Sequence, residues 1–305
     1  MREVAKRSFD EGETWAIHKS PLQHKAHNKG ETMAGKLYVV GTPIGNLGDL
    51  STRAAEILET VDFIAAEDTR VTVKLLNHLG IKTPMVSYHE HNKASQTEKI
   101  ADRIAQGETC ALVTDAGMPA ISDPGEDLVR FCRERELDVE SVPGPSALIT
   151  ALAISGMPSR RFCFEGFLSV EKKEREEQLE AVKNDTHTLI FYEAPHKLAA
   201  TLKDMLKYFG DRSIALVKEL TKLHEACERT TLSAAAEKYS DGNAKGEFVL
   251  IISGAEPAKD TEYTLEAAVE MAQGFIKDGM SPTAAAKSAA GLTGFRRNEI
   301  YKNLI

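Results

Sequence analysis

Four short stretches concentrate the residue types that do chemistry: GTPIGN (41–46), EDTR (67–70), SYHEHN (87–92) and TDAGMPAISDPG (114–125). The first follows the apolar run LYVV and precedes a helix-like stretch. That is the outline of a strand, a glycine-rich turn and a helix, where backbone N–H groups often hold a phosphate. Its glycines, Gly41, Gly45 and Gly48, do not have the G-x-G-x-x-G spacing, and Pro43 removes an N–H from the tightest part of the turn. This leaves open what the loop holds, if not a dinucleotide. In the fourth stretch Asp115 and Asp123, with Glu126 beyond it, could bind a metal. The order Asp-Pro before an amphipathic run instead makes Asp123 the cap of a helix starting at Pro124. His89 and His91 fall on one side of an extended segment, as metal ligands could, but no third ligand is evident. There is no HExxH, Walker A or G-x-S-x-G motif, so the strongest hydrolase and NTPase signals are missing.

Positioning these stretches falls to alternating apolar runs and helix-period segments. Strands are expected at 37–40, 63–66, 85–87, 111–114 and 139–142, with helices at 51–59, 72–79, 93–104 and 127–133 between them. This alternation indicates βα units and a mostly parallel sheet. Ligands bind such sheets outside the carboxyl ends of the strands, which is where all four stretches fall. Pro143-Gly144-Pro145 then breaks the chain, and 146–155 resumes as a helix of small residues. A second α/β block follows, with strands at 162–164, 188–192, 213–217 and 247–252 and helices at 171–183 and 196–209. A linker at 256–262 leads to a small unit in which 282–290 and 296–303 flank the turn LTGF, resembling a helix-turn-helix. The last helical segments carry Lys287, Arg296, Arg297 and Lys302 against Glu299, the one noticeably basic segment of an acidic chain. The expected organisation is an extension at 1–35, an α/β domain at 36–145, a second at 146–256 and a helical unit at 260–305.

With 305 residues, 42% of them hydrophobic, the chain can bury a sizeable core, and two domains are expected. A net charge of −8 argues against indiscriminate nucleic-acid binding while allowing a local basic patch. Cys110, Cys132, Cys163 and Cys227 are scattered without C-x-x-C or zinc spacing, which reads as a reduced, cytosolic protein. No apolar run approaches the roughly 18 residues needed to span a membrane. Residues 1–32 are polar, hold Trp15 and lack a signal peptide's apolar region. They read as a disordered extension, or as the product of a start assigned upstream of Met33. The residues alone thus give a two-domain α/β enzyme binding a small organic ligand.

The loops are also specific as strings. LYVVGTPIGNLGDLSTRA, FIAAEDTR, YHEHN, LVTDAGMPAISDPG, VPGPSA, RFCFEGFL, LIFYEAPH and KELTKLHE occur in order across 37–225. Together they closely resemble the bacterial 16S ribosomal RNA cytidine 2′-O-methyltransferases of the tetrapyrrole methylase superfamily. The resemblance implies two α/β domains with S-adenosylmethionine in the cleft between them, usually in a homodimer. It also implies a ribose hydroxyl of 16S ribosomal RNA, in the decoding region of the small subunit, as the target. The cofactor has no phosphate, so Pro43 is tolerable. By resemblance its contacts come from Pro43 and Ile44, from Asp115, Gly117, Met118, Pro119, Ile121 and Ser122, from Ser146 and Ala147, and from Tyr192, Leu220 and Phe248. Glu67, Asp68, His89 and Glu193 are the candidate bases, and Arg70 and Lys218 candidate contacts to RNA phosphate. EDTR could equally be an internal ion pair that fixes its loop. No metal is required. Methylation of a tetrapyrrole, another small molecule or a protein side chain is the runner-up, against which the TPIGN and EDTR loops and the basic C-terminal unit speak. Net acidity and the many sheet-end loops speak against a non-catalytic RNA-binding module.

Overall fold

The fold was read from a computed structural model that describes residues 35–256 and 263–304. The expectation for residues 1–32 lies outside the described residues. The first domain is a five-stranded parallel sheet in the order β3-β2-β4-β1-β5, with β1 at Lys36–Val40, β2 at Phe63–Ala66, β3 at Met85–Ser87, β4 at Cys110–Val113 and β5 at Asp138–Val142. Helices α1 (Thr52–Thr60), α2 (Thr69–Leu79), α3 (Lys93–Ala105) and α4 (Glu126–Glu134) connect the strands. Every residue of β2 and β4 is buried. Layers on both faces require this, and it is why FIAA and CALV are unbroken apolar runs. One face packs Ile57, Leu58 and Leu76 of α1 and α2, the other Ile100, Ile104 and Leu128 of α3 and α4.

The carboxyl ends of β1 and β4 are neighbours, and the loops that leave them pair through Thr42 and Gly117. Each N–H donates to the other's carbonyl, at 2.9 and 3.1 Å, and the buried Thr42 hydroxyl donates to the Thr114 carbonyl at 3.1 Å. Gly41 and Gly144 lie back to back beside this pair. A Cβ on Gly144 would stand 2.8 Å from the Gly41 backbone, and one on Gly41 would stand 2.7 Å from Gly144 Cα. Neither can grow a methyl without moving main chain. Gly144→Ala is therefore expected to cost about 1–3 kcal/mol and to lower the melting temperature by several degrees in a calorimetric scan. An unchanged melting temperature would mean that the two turns separate freely.

The second domain is a mixed sheet in the order β6-β7-β10-β8-β9, in which only β6 and β7 run parallel. Its strands are β6 at Phe162–Phe167, β7 at Thr188–Glu193, β8 at Ser213–Lys218, β9 at Ala226–Thr231 and β10 at Phe248–Ile252. Leu189, Phe191, Leu216 and Leu250 face helices α6 (Lys172–Val182), α7 (Leu198–Phe209) and α8 (Leu232–Lys238). The alternate residues Ile190, Ala215, Val217 and Val249 face α5 (Ala147–Ser155), and Ile44 of the first domain joins that second core. Strand β9 and helix α8 were not expected from sequence, and β6 runs three residues further than expected, past a bulge between Phe164 and Gly166.

The C-terminal unit has three described helices rather than the expected two: α9 (Leu265–Lys277), α10 (Pro282–Thr293) and α11 (Arg297–Lys302). They enclose a small core of alanines, with Ile300 from α11. No helix among the described residues is long and apolar enough to cross a membrane.

Candidate active site

A cavity of about 380 Å³ opens between the carboxyl ends of the first sheet and the matching end of the second. Loops after β1, β2, β4 and β5 supply Ile44, Glu67, residues 114–118 and 121–123, Ser146 and Ala147; the ends of β6, β7, β8 and β10 supply Phe167, Tyr192, Glu219, Leu220 and Phe248. Gly45 closes the first loop onto the second domain. At φ 148° it lies against Lys222, whose Cγ would stand 2.8 Å from an added Cβ. Gly117, at φ 90°, lets the fourth loop turn past Ile44 and the Pro145 carbonyl. Four non-glycine residues among those described adopt positive φ, and three of them flank this cavity: Ala120 (67°), Glu219 (52°) and Thr221 (63°). Such backbone is costly and concentrates at sites where function fixes the geometry.

Of the residues expected at the cofactor, Ile44, Asp115, Gly117, Met118, Ile121, Ser122, Ser146, Ala147, Tyr192, Leu220 and Phe248 line the cavity, whereas Pro43 and Pro119 do not. Ile121 and Phe167 are each more than half exposed at its walls, where a ligand would cover them. Tyr192 turns its ring to the cavity, edge-on to Phe164 and Phe167 with centroids 4.9 and 5.5 Å away. Its hydroxyl accepts the Leu148 N–H at 3.0 Å, tying the start of α5, and burial pushes its pKa up to about 12.

The candidate bases separate by their hydrogen bonds. Glu67 lines the cavity, but its Oε2 accepts the Thr114 hydroxyl at 2.5 Å and the Asp115 N–H at 3.3 Å. Glu193 is buried, with Oε1 accepting the Ala194 N–H at 2.8 Å and Oε2 the Thr201 hydroxyl. Its carboxylate therefore fixes the turn from β7 into α7. Asp68 and Arg70 lie outside the cavity wall. Asp68 caps α2 through the Arg70 N–H at 2.8 Å and holds the Arg70 guanidinium at 2.6 Å, which pulls its carboxyl down to about 2. His89 and His91 stand edge to face, 6.0 Å apart, away from the cavity; the buried His89 Nδ1 has no hydrogen-bond partner.

Asp123 corrects the sequence reading. It is not a helix cap: α4 starts at Glu126, after Gly125 at φ 145°, and no side chain caps it. A Cβ at Gly125 would stand 2.9 Å from Leu112, so the turn is pressed onto the sheet and Asp123 is left facing the cavity. There burial and the neighbouring Glu67 carboxylate push its carboxyl up to about 6. Asp115 is also raised, by partial burial and by Glu67. Asp115, Asp123 and Glu126 do not converge as metal ligands. Among the described residues the one group of potential ligands so arranged is Cys163, Asp185 and His187, on the far side of the second domain.

Apolar walls with six acidic residues among their lining, and Lys222 already bonded to Glu219 at 3.1 Å, suit a small organic cation. Comparison with known proteins agrees in kind. Residues 36–236 match the family described as Tetrapyrrole (Corrin/Porphyrin) Methylases. Ribosomal RNA small subunit methyltransferase I of Synechocystis sp. is 44% identical over 88% of this chain and 96% of its own length. The protein of the same name from Xylella fastidiosa is 46% identical over 88% and 98%. The crystal structure of uroporphyrin-III-C-methyltransferase from Thermus thermophilus covers 72% of this chain and 94% of that one at a TM-score of 0.53 and 18% identity, a likeness of fold. Sequence reasoning missed Asp123, Phe167, Glu219, Lys222 and Glu247 as lining residues; the raised loop of non-glycine residues in KELTKLHE left no local signal that could have revealed the last turn of the wall.

Proposed function

The chain belongs to the tetrapyrrole methylase family, in the branch of the small-subunit ribosomal RNA methyltransferases I, and from that premise we propose that it methylates the ribose 2′-hydroxyl of a cytidine in the decoding region of 16S ribosomal RNA. When bound, S-adenosylmethionine supplies an electrophilic methyl group carried on a sulfonium. The observation that carries the reading is the cleft itself: apolar walls with a cluster of carboxylates and no free cation among its described lining residues fit that positively charged group. Ile44, Met118, Leu220 and Phe248 bury its apolar parts, and Tyr192 offers a ring face. Glu67 and Glu193 act as positioning residues, since their oxygens are engaged by the turns they hold.

Asp123 is the proton acceptor for the ribose hydroxyl. Its carboxyl sits at the cavity, is bonded by the Thr114 side chain but by no main-chain N–H, and titrates near working pH, the condition for an effective base. Arg70, with its side chain 88% exposed at the rim, and Lys218 at the end of β8 are placed to meet RNA phosphates. The substrate is the small ribosomal subunit, and the enzyme works in the cytoplasm as a homodimer. Helix α5 supports the dimer: it is apolar all round, with Ile149 and Ile154 exposed on the side away from its core.

Small subunits lacking the mark, incubated with methyl-labelled S-adenosylmethionine, are expected to gain one methyl per particle. The modified nucleotide should resist alkaline cleavage, because the hydroxyl that attacks the 3′ phosphate is blocked. Mass spectrometry placing the methyl on a base, or transfer to a free tetrapyrrole instead, would overturn the reading.

A further inference from the structure

The second domain carries a cluster that methyl transfer does not use. Cys163 is the second residue of β6, and Asp185 and His187 lie in the turn that enters β7. Strands β6 and β7 are parallel, with Cys163 beside Leu189, so the three side chains gather at the amino ends of both. The active-site cavity opens at the opposite ends, beside Phe167 and Tyr192, about 15 Å away along strands of this length. Asp185 stands between the other two. Its Oδ1 meets His187 Nδ1 at 2.6 Å and accepts the His187 N–H at 2.8 Å, while Oδ2 accepts the Cys163 thiol at 3.3 Å.

One sulfur, one nitrogen and one oxygen thus lie within 4.8 Å of one another. Ligand atoms on a tetrahedral zinc, with bonds of about 2.0–2.3 Å, lie about 3.5 Å apart. Arg212 lies close enough to feel the charge of Asp185, but no ion pair joins the two. Arg212 donates its Nε to the Phe209 carbonyl at 3.1 Å and its Nη2 to the Lys183 carbonyl, and Arg161 is exposed.

We propose that Cys163, Asp185 and His187 form a binding site for a divalent transition-metal ion, zinc by ligand chemistry, that ties the edge strand β6 to the turn before β7. The mixed S, N, O set favours zinc over magnesium or calcium, which take oxygen alone. Binding replaces the thiol proton and the Nδ1···Oδ1 hydrogen bond with metal bonds. The thiol proton passes to solvent and the Nδ1 proton of a neutral imidazole is handed through water to Nε2, so uptake is linked to the release of one proton. The site is separate from methyl transfer and is tested without it.

The full-length protein, stripped with a chelator and dialysed, is titrated with zinc against a chromogenic competitor and, in parallel, with cobalt. One equivalent of metal is expected, with the thiolate-to-cobalt charge-transfer absorption that only a sulfur ligand produces. Cys163→Ser should abolish that absorption, and His187→Ala should weaken zinc at least tenfold. Zinc should raise the melting temperature of the wild type and leave that of Cys163→Ser unmoved. Absence of the charge-transfer band in the wild type overturns the proposal however the variants fold. So does metal uptake that survives both substitutions, which would place the ion elsewhere. In that case the cluster is only a hydrogen-bonded turn.

Discussion

Asp123→Asn is expected to slow methyl transfer by roughly 10²–10³-fold while making the protein more stable above pH 6. Both effects follow from one carboxyl held in the wrong place for folding. Burial and Glu67 push its pKa up to about 6, from an ordinary value of 3.8. Between those two values the folded chain binds a proton that the unfolded chain has lost. Stability is therefore fully present below about pH 4 and falls as pH rises through 6. At pH 7 that shift amounts to about 3 kcal/mol, which partial exposure to water screens to the order of 2 kcal/mol, and the amide of asparagine removes it. The variant should melt roughly 4 °C higher at pH 7–8 and show no gain at pH 4.

The activity change has its own pH signature. A base that must be ionised gives the wild type an acid limb, with kcat/KM rising through pH 6 to a plateau. The variant should lose that limb as well as its rate, with S-adenosylmethionine affinity changed far less. Glu67→Gln should behave differently. It replaces the acceptor shared by the Thr114 hydroxyl and the Asp115 N–H with a weaker amide oxygen and removes the charge that helps raise Asp123, so it should loosen the loop, weaken the cofactor and keep the acid limb, moved to lower pH. An Asp123→Asn enzyme with near-normal kcat would remove Asp123 from the chemistry. A melting temperature that does not rise would mean that the carboxyl relaxes into water.

What could be read beforehand, and what could not, divides along the range of the forces involved. Unbroken apolar runs such as FIAA and CALV are buried on both faces, and their burial is a property of the run itself. The sheet of the first domain and its ligand-bearing ends were legible for that reason. The edge strand β9, ACERTT, has no apolar alternation, and its pairing with β8 is decided by the neighbour rather than by its own pattern. Asp123 was misread because Asp-Pro is a strong local helix signal. Tertiary packing of Gly125 against Leu112 overrides it and delays the helix to Glu126. Phe167 reaches the cavity only because the β6 bulge shifts the register by one residue, and Glu219 and Lys222 only because residues 219 and 221 adopt left-handed backbone. None of these leaves a periodic trace. Helix α9 did have one. Thr264 caps it through the Ala267 N–H, and Ala268 and Ala272 repeat at helical spacing, so the unit's third helix was open to a closer reading.

Removing residues 260–305 is expected to leave S-adenosylmethionine affinity and the dimer intact while reducing methylation of small subunits by about 100-fold or more. The unit's described core is its own, built from Ala268, Ala272, Ala285, Ala286, Ala289 and Ile300, and shares no residue with the cores of the α/β domains. Every cavity-lining residue lies before it. What it presents outward is charge: Lys287, Arg296, Arg297 and Lys302 are all exposed, and neither Arg296 nor Arg297 forms an ion pair among the described residues. Arg297 bonds only the neighbouring Asn298 side chain, at 3.0 Å. Guanidinium groups on adjacent positions at the start of a short helix suit phosphate contacts that orient RNA without reading its bases. Arg296→Ala combined with Arg297→Ala should therefore weaken subunit binding more mildly than the deletion does. It should also flatten the salt dependence by about one to two counterions, as expected for one or two lost phosphate contacts. Salt titrations of binding and methylation at fixed enzyme concentration measure both effects. Full activity in the truncated enzyme would rule out RNA docking by this unit, and a truncated enzyme that sediments as a monomer would assign its helices to the dimer instead.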